Sequence, residues 1–176
     1  MRSFAGSWKK TRPAGQRSVC MKSIEMLTVV QATGTVLYFF LAAQGAFYGM
    51  GFGKALFDIS PEAFIELRKA VDPRVRKNLK RCYLAALATM LTWLVLSVRS
   101  GGLFSYGPVL VALLLLVADL ILALKRSEPV NELINSDLLN NRQSYVNARD
   151  EWMRYIFIRG NLSISGFLVL LLHLVY

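Results

Sequence analysis

Cysteine and histidine are nearly absent from this 176-residue chain, which has Cys20, Cys82 and a single histidine, His173. Two distant cysteines make no disulfide framework and no Cys-x-x-Cys pair. Structural zinc asks for about four Cys, His or carboxylate ligands, so no metal is expected. His173 alone leaves a haem axial ligand or, more plainly, a polar residue near the end of an apolar helix. No nucleophile elbow, phosphate loop, Rossmann fingerprint or HExxH is present. Acidic residues are also scarce, 11 against 21 Lys and Arg, for a formal charge of +10. No aromatic-basic motif accompanies that charge, so no nucleic-acid partner is expected.

What the chain has instead is long apolar runs. Residues 26–52 and 82–98 carry no charge, 101–124 carry only Asp119, and 160–176 carry none, with the apolar pattern reaching back to Trp152. A membrane span needs about 20 mostly apolar residues. The pattern predicts an all-α bundle of four transmembrane helices, a multi-pass protein whose first partner is the lipid bilayer. A single domain is expected over 26–176.

The basic stretch 1–25 is expected to be a poorly ordered tail. It reads equally as a lipid-touching arm, a transit-like presequence, or an upstream extension with Met21 as the natural start. Between the first two spans, "SPEAFIELRKAV" has Ser60 as N-cap, Pro61 at the first helical position and Glu62 in the first turn. It predicts a short amphipathic helix at the interface, stopped by Pro73. The cluster Arg74, Arg76, Lys77, Lys80 and Arg81 then either binds lipid headgroups or only anchors topology. A long polar loop is expected over 125–151, with Pro129 ending the third helix, Ser127 capping the segment beyond it and Asn131 satisfying the freed backbone groups.

Lys and Arg number eight in 53–81 and six in 125–159, against six in the tail and one in the "RSGG" hairpin. The long loops are therefore expected on the cytoplasmic side. The first span is rich in small residues, and Gly45 and Gly49 form a GxxxG that permits close helix approach. Aromatics near helix ends, Trp93, Trp152, Tyr155 and Tyr176, suit interface belts, although Trp152 and Tyr155 could also wall a pocket.

Polar groups inside membrane helices are costly, so each is a candidate site residue. At about 1.5 Å rise per residue, Gln44, Thr89, Asp119 and Arg159 fall at similar depths, about 9–12 Å inside the loop-side ends of their spans. Asn161 comes just beneath. Asp119 and Arg159 have opposite charge, and pairing would let both stay ionised where a lone carboxylate would not. They are expected to face each other. The layer is then either a polar pocket under the 125–151 segment or a set of bonds that fix helix register.

Several segments resemble the anthrone oxygenase-like family of small four-helix membrane proteins. The likeness runs from "AFYGMGFG" and "ISPEAFIELRKAVDP" through "EPVNELIN" to "ARDEWMRYIFIRGNLSISGF", and spans about residues 26–176. It points to Pro129, Asn131, Trp152 and Arg159. Where many relatives have an acid and a proline near the exit of the first span, this chain has "GFGKALFD", with Lys54. The resemblance implies the fold, and for a few relatives an oxidation of anthrones by molecular oxygen without a cofactor.

Two functions are expected from these features. One is a binding or accessory protein that holds a small hydrophobic aromatic ligand, or docks a membrane partner or a second copy of itself. The ligand set would be Gln44, Thr89, Asn131, Trp152 and Asn161. The other is a cofactor-independent oxygenase, with Asp119 as proton acceptor and Arg159 and Asn131 orienting oxygen. A transporter or channel fits poorly, because no span is broken or repeated.

Overall fold

The computed structural model describes the backbone of residues 14–100, 102–136 and 138–175, and the side chains of 25–99, 102–136 and 138–175. All the described elements are helical. Helix α1 (Ala14–Phe47) passes through a π turn (Tyr48–Phe52) into α2 (Gly53–Asp58). Helix α3 (Pro61–Ser100) returns, and α4 (Leu103–Leu122) comes next. A second π turn (Ala123–Ser127) leads into α5 (Glu128–Asn135), and α6 (Arg142–Val175) completes the fold. Four helical stretches are long and apolar enough to cross a membrane. The chain is a multi-pass membrane protein built as a four-helix bundle.

The starts of α3 and α6 are written in the local sequence. Ser60 Oγ accepts the Ala63 N–H at 3.1 Å, and Pro61 fills the first helical position. Asn141 Oδ1 accepts the Ser144 N–H at 2.8 Å. Gly51, at φ 144° inside the first π turn, takes a conformation that L side chains rarely adopt, and it turns the chain toward α2. Gly102, at φ 97°, does the same between α3 and α4.

Several expectations are corrected. There is no separate interfacial helix ending at Pro73: residues 61–100 form one helix with Pro73 inside it. A proline lacks one donor, but flanking turns held by packing outweigh that loss; Phe64 and Ile65 are buried. The segment 125–151 is not a long loop either, since only residues 136–141 separate α5 from α6. Pro129 does not end the third span, because the π turn re-phases the backbone and the Glu128 N–H reaches the Ala123 carbonyl. Ser127 makes no cap; its Oγ is buried without a partner. Helix α1 begins at Ala14, within the stretch expected as a tail, and residues 1–13 lie outside the described residues. Trp93 and Trp152 are core residues rather than belt residues; Tyr176 lies outside the described residues.

The 40 residues of α3 make a rod of about 60 Å, twice the ~30 Å hydrocarbon thickness. The bundle therefore has two stacked parts. One core joins Tyr38, Leu41, Met90, Trp93, Val109, Leu116 and Leu170 across α1, α3, α4 and α6. A second joins Leu56, Phe64, Val130, Ile134, Trp152 and Met153, and caps the bundle at the long-segment end. Helix α5 contributes Val130 and Ile134, one turn apart on its buried face.

Helices α1 and α6 make the most extensive contact. A Cβ on Gly45 would come within 2.4 Å of the Gly160 Cα. The backbones touch, as small residues allow in lipid. Of the expected GxxxG, only Gly45 is used: a Cβ on Gly49 would meet nothing within 4 Å. Gly166 leaves room for the Tyr38 ring, whose hydroxyl donates to the Ala112 carbonyl at 2.9 Å.

Candidate functional site

Three helices bring polar groups together where the two cores meet. Asp119 on α4 is wholly buried and accepts three hydrogen bonds. Arg159 Nε donates to Oδ1 at 2.7 Å, Ser163 Oγ donates to Oδ2 at 2.8 Å, and the Tyr83 hydroxyl also donates to Oδ2. Arg159 NH2 donates back to the Tyr83 oxygen at 3.0 Å. Ser163 lies one turn after Arg159 on α6, so both reach the same carboxylate. The four side chains close a ring of charge-assisted bonds around a wholly buried carboxylate.

Above this ring a second network ties α3, α5 and α6. Asn131 Oδ1 accepts from Trp152 Nε1 at 2.9 Å and from Arg68 NH2 at 3.2 Å. The Arg68 guanidinium lies over the Trp152 ring, 4.3 Å from its centroid, and pairs with Asp72 at 3.3 Å. Asn135 Nδ2 donates to the other Asp72 oxygen at 3.0 Å. Tyr48 and Phe64 pack edge-on against Trp152 from either side. Asn131 thus joins helices, where it was expected to repair a broken backbone. At the outer rim Arg76 bonds Glu128 at 2.8 Å and closes the gap between α3 and α5.

Between the two networks lies a cavity of about 440 Å³. Leu79, Leu84, Leu120 and Leu124 form its apolar walls, and Arg68, Lys80, Ser127 and Asn131 stand at its polar end. Tyr83, Arg159 and Gln44 line it too. Leu84 and Leu124 are also exposed on the outer surface of the bundle. The cavity is therefore open at the surface past these leucines, and also past Val75, Arg76 and Lys80. A smaller void of about 10 Å³ sits against Gln44, Gly45, Asp119 and Gly160.

The expected site residues separate accordingly. Asp119, Arg159, Gln44, Asn131 and Trp152 converge on these two spaces. Thr89 does not: its hydroxyl donates to the Ala85 carbonyl of its own helix, and its methyl faces Gly34. Its depth was reckoned from Cys82 as a helix start, but α3 begins at Pro61 and places Tyr83 at the polar level. Asn161 is exposed, since two residues turn it about 200° around α6 from Arg159. All five residues of the basic cluster are exposed, and Arg76 and Lys80 also border the cavity. His173 stacks loosely on Trp93, with ring centroids 6.0 Å apart.

Sequence reasoning missed Tyr83, Ser163, Arg68 and Asp72. The spacing of Ser163 four residues after Arg159 was the available signal for one of them. No family model, curated protein or solved structure matches the chain.

Proposed function

We propose that the protein binds a small hydrophobic ligand from within the membrane, in the cavity between α3, α4 and α6. The carrying observation is that cavity of about 440 Å³, walled by leucines and bordered by the two polar networks. Ligand sites have this character: apolar walls with a few placed polar groups that set orientation. Trp152 offers a flat wall at the polar end, which makes an aromatic lipid or quinone the first molecule to seek. Mass spectrometry of gently purified protein tests this. A stoichiometric co-purifying amphiphile or aromatic, lost on Ala123→Phe, is the expected result. An empty protein whose melting no hydrophobic additive shifts would end this reading.

A second reading is the cofactor-independent oxygenase that the family resemblance implies. One observation favours it: Tyr83 borders the cavity and donates its hydroxyl proton toward Asp119. Asp119 would take the substrate proton through Tyr83. Arg159 and Asn131, both on the cavity, would orient the oxygen. One oxygen atom would enter the ring methylene as a ketone and the other would leave as water. Oxygen uptake with an anthrone, abolished in Tyr83→Phe and Asp119→Asn, is the test; uptake equal to the uncatalysed rate removes it.

The basic face that carries the cap suits the cytoplasmic side. Labelling of a cysteine placed at Leu138 by a membrane-impermeant reagent, only after the cytoplasmic face is opened, checks that.

A further inference from the structure

Among the described residues, three buried side-chain polar atoms lack a hydrogen-bond partner: Arg68 Nε, Ser127 Oγ and Trp93 Nε1. Two of the three residues, Arg68 and Ser127, border the same cavity. A buried unsatisfied donor costs about 1–3 kcal/mol; both atoms are covered by protein in the empty state, and a side-chain rotation at the cavity wall would bring each to an acceptor held there.

The charges around them agree. The cavity is lined by Arg68, Arg76, Lys80 and Arg159 against Asp72 and Glu128. Arg68 pairs with Asp72, Arg76 with Glu128 and Arg159 with Asp119. Those bonds engage the carboxylates and, among the described residues, leave Lys80 as the cation on the cavity without an acid of its own. An acceptor that met Arg68 Nε, Ser127 and Lys80 together would be best as an anion. The side opening past Leu84 and Leu124 leads into the hydrocarbon.

We infer that the ligand is an acidic amphiphile: an anionic oxygen headgroup held by Arg68, Ser127 and Lys80, its apolar body leaving between α3 and α4. This rests on the cavity-binding reading and gives its ligand a chemical class. A phosphodiester lipid and a free fatty acid share that chemistry. The Arg76–Glu128 pair bridges α3 and α5 at the rim, and the leucine side gives the amphiphile a route from the membrane.

The test uses full-length protein, delipidated in neutral detergent and titrated separately with phosphatidylglycerol, oleate and phosphatidylcholine. Native mass spectrometry reads occupancy and thermal melting reads stabilisation. One or both acidic amphiphiles should bind about tenfold better than phosphatidylcholine, the worth of one charged hydrogen bond. Which of the two does so identifies the source. Lys80→Gln should erase most of that preference. Ser127→Ala should raise the melting temperature of the empty protein, because it removes an unpaired hydroxyl, while weakening acidic-lipid binding. Opposite signs in the two states distinguish a ligand contact from a structural role. Replacing Arg74, Lys77 and Arg81 together by Gln should leave the preference in place. Equal binding of all three lipids overturns the inference, as does a preference that survives Lys80→Gln but falls with the surface triple variant. A neutral aromatic held in the cavity instead also overturns it, while leaving the cavity-binding reading intact. A cavity that holds nothing overturns both.

Discussion

The two stacked parts of this bundle hold together by different means. In the membrane core, water offers no hydrophobic drive between helices, and association depends on close packing. The bundle answers with touching backbones at Gly45 and Gly160, the Tyr38 ring seated over Gly166, and one fully bonded charge ring at Asp119. Helix α3 is about twice as long as a hydrocarbon layer is thick, and with the first core in the bilayer the cap extends toward water, where apolar burial does drive association. There large side chains meet: Phe64, Trp152, Met153 and Ile134 pack under a lattice of Arg68, Asp72, Asn131 and Asn135. The lesson is that buried charge in one part is confined to a single closed ring of bonds, and in the other is used freely as a tie.

That contrast can be broken in four places. Arg159→Ala strands a wholly buried carboxylate and should cost about 3–5 kcal/mol, the largest effect. Reversible unfolding in mixed micelles measures it, and Asp119→Arg combined with Arg159→Asp should recover part of the loss of either single change. A double swap no better than the singles would mean the pair is not a partnership. Gly45→Val drives a side chain into the Gly160 backbone and should cost about 1–3 kcal/mol or more by the same measurement. Asn131→Ala leaves Trp152 Nε1 without its acceptor, while the Arg68 nitrogen keeps Asp72, for about 1–3 kcal/mol. Its effect should appear first as faster amide exchange in α5, with α1 and α4 unchanged. Arg76→Ala removes a pair whose arginine side chain is 42% exposed, and should change stability by less than about 1 kcal/mol. If Arg76→Ala proves as costly as Arg159→Ala, the cap obeys the rules of the membrane core and the contrast fails.

The membrane half of this arrangement was legible in the sequence, because its signals are exceptions to a uniform background. Four apolar runs mark four spans, and within them Asp119 and Arg159 stand out as charges at matched depth. Tyr83 carried no such signal, since a tyrosine near a span's end reads as an interface residue. Ser163 carried only its spacing, four residues after Arg159, in a helix of small residues. The cap was less legible. Pro73 and Pro129 are strong local stop signals, yet tertiary packing carried helices through both. Arg68 and Asp72 fall on what reads as the wet face of an amphipathic helix, and only the return of α5 over that face makes it an interior.

The Asp119–Arg159 pair also sets an order for the making of the protein. The third span reaches the bilayer before the fourth, so its acid must wait there for its cation. An arginine near the middle of a span opposes insertion by about 2.5–3.5 kcal/mol on biological scales. Asp119, already in place, offsets that opposition at the moment the last span arrives. The same last span brings Gly160 to Gly45, the contact that the first span has lacked since it was synthesised. The four-helix bundle thus closes on its fourth span, and a lesion there should leave α1, α3 and α4 inserted and only partly joined.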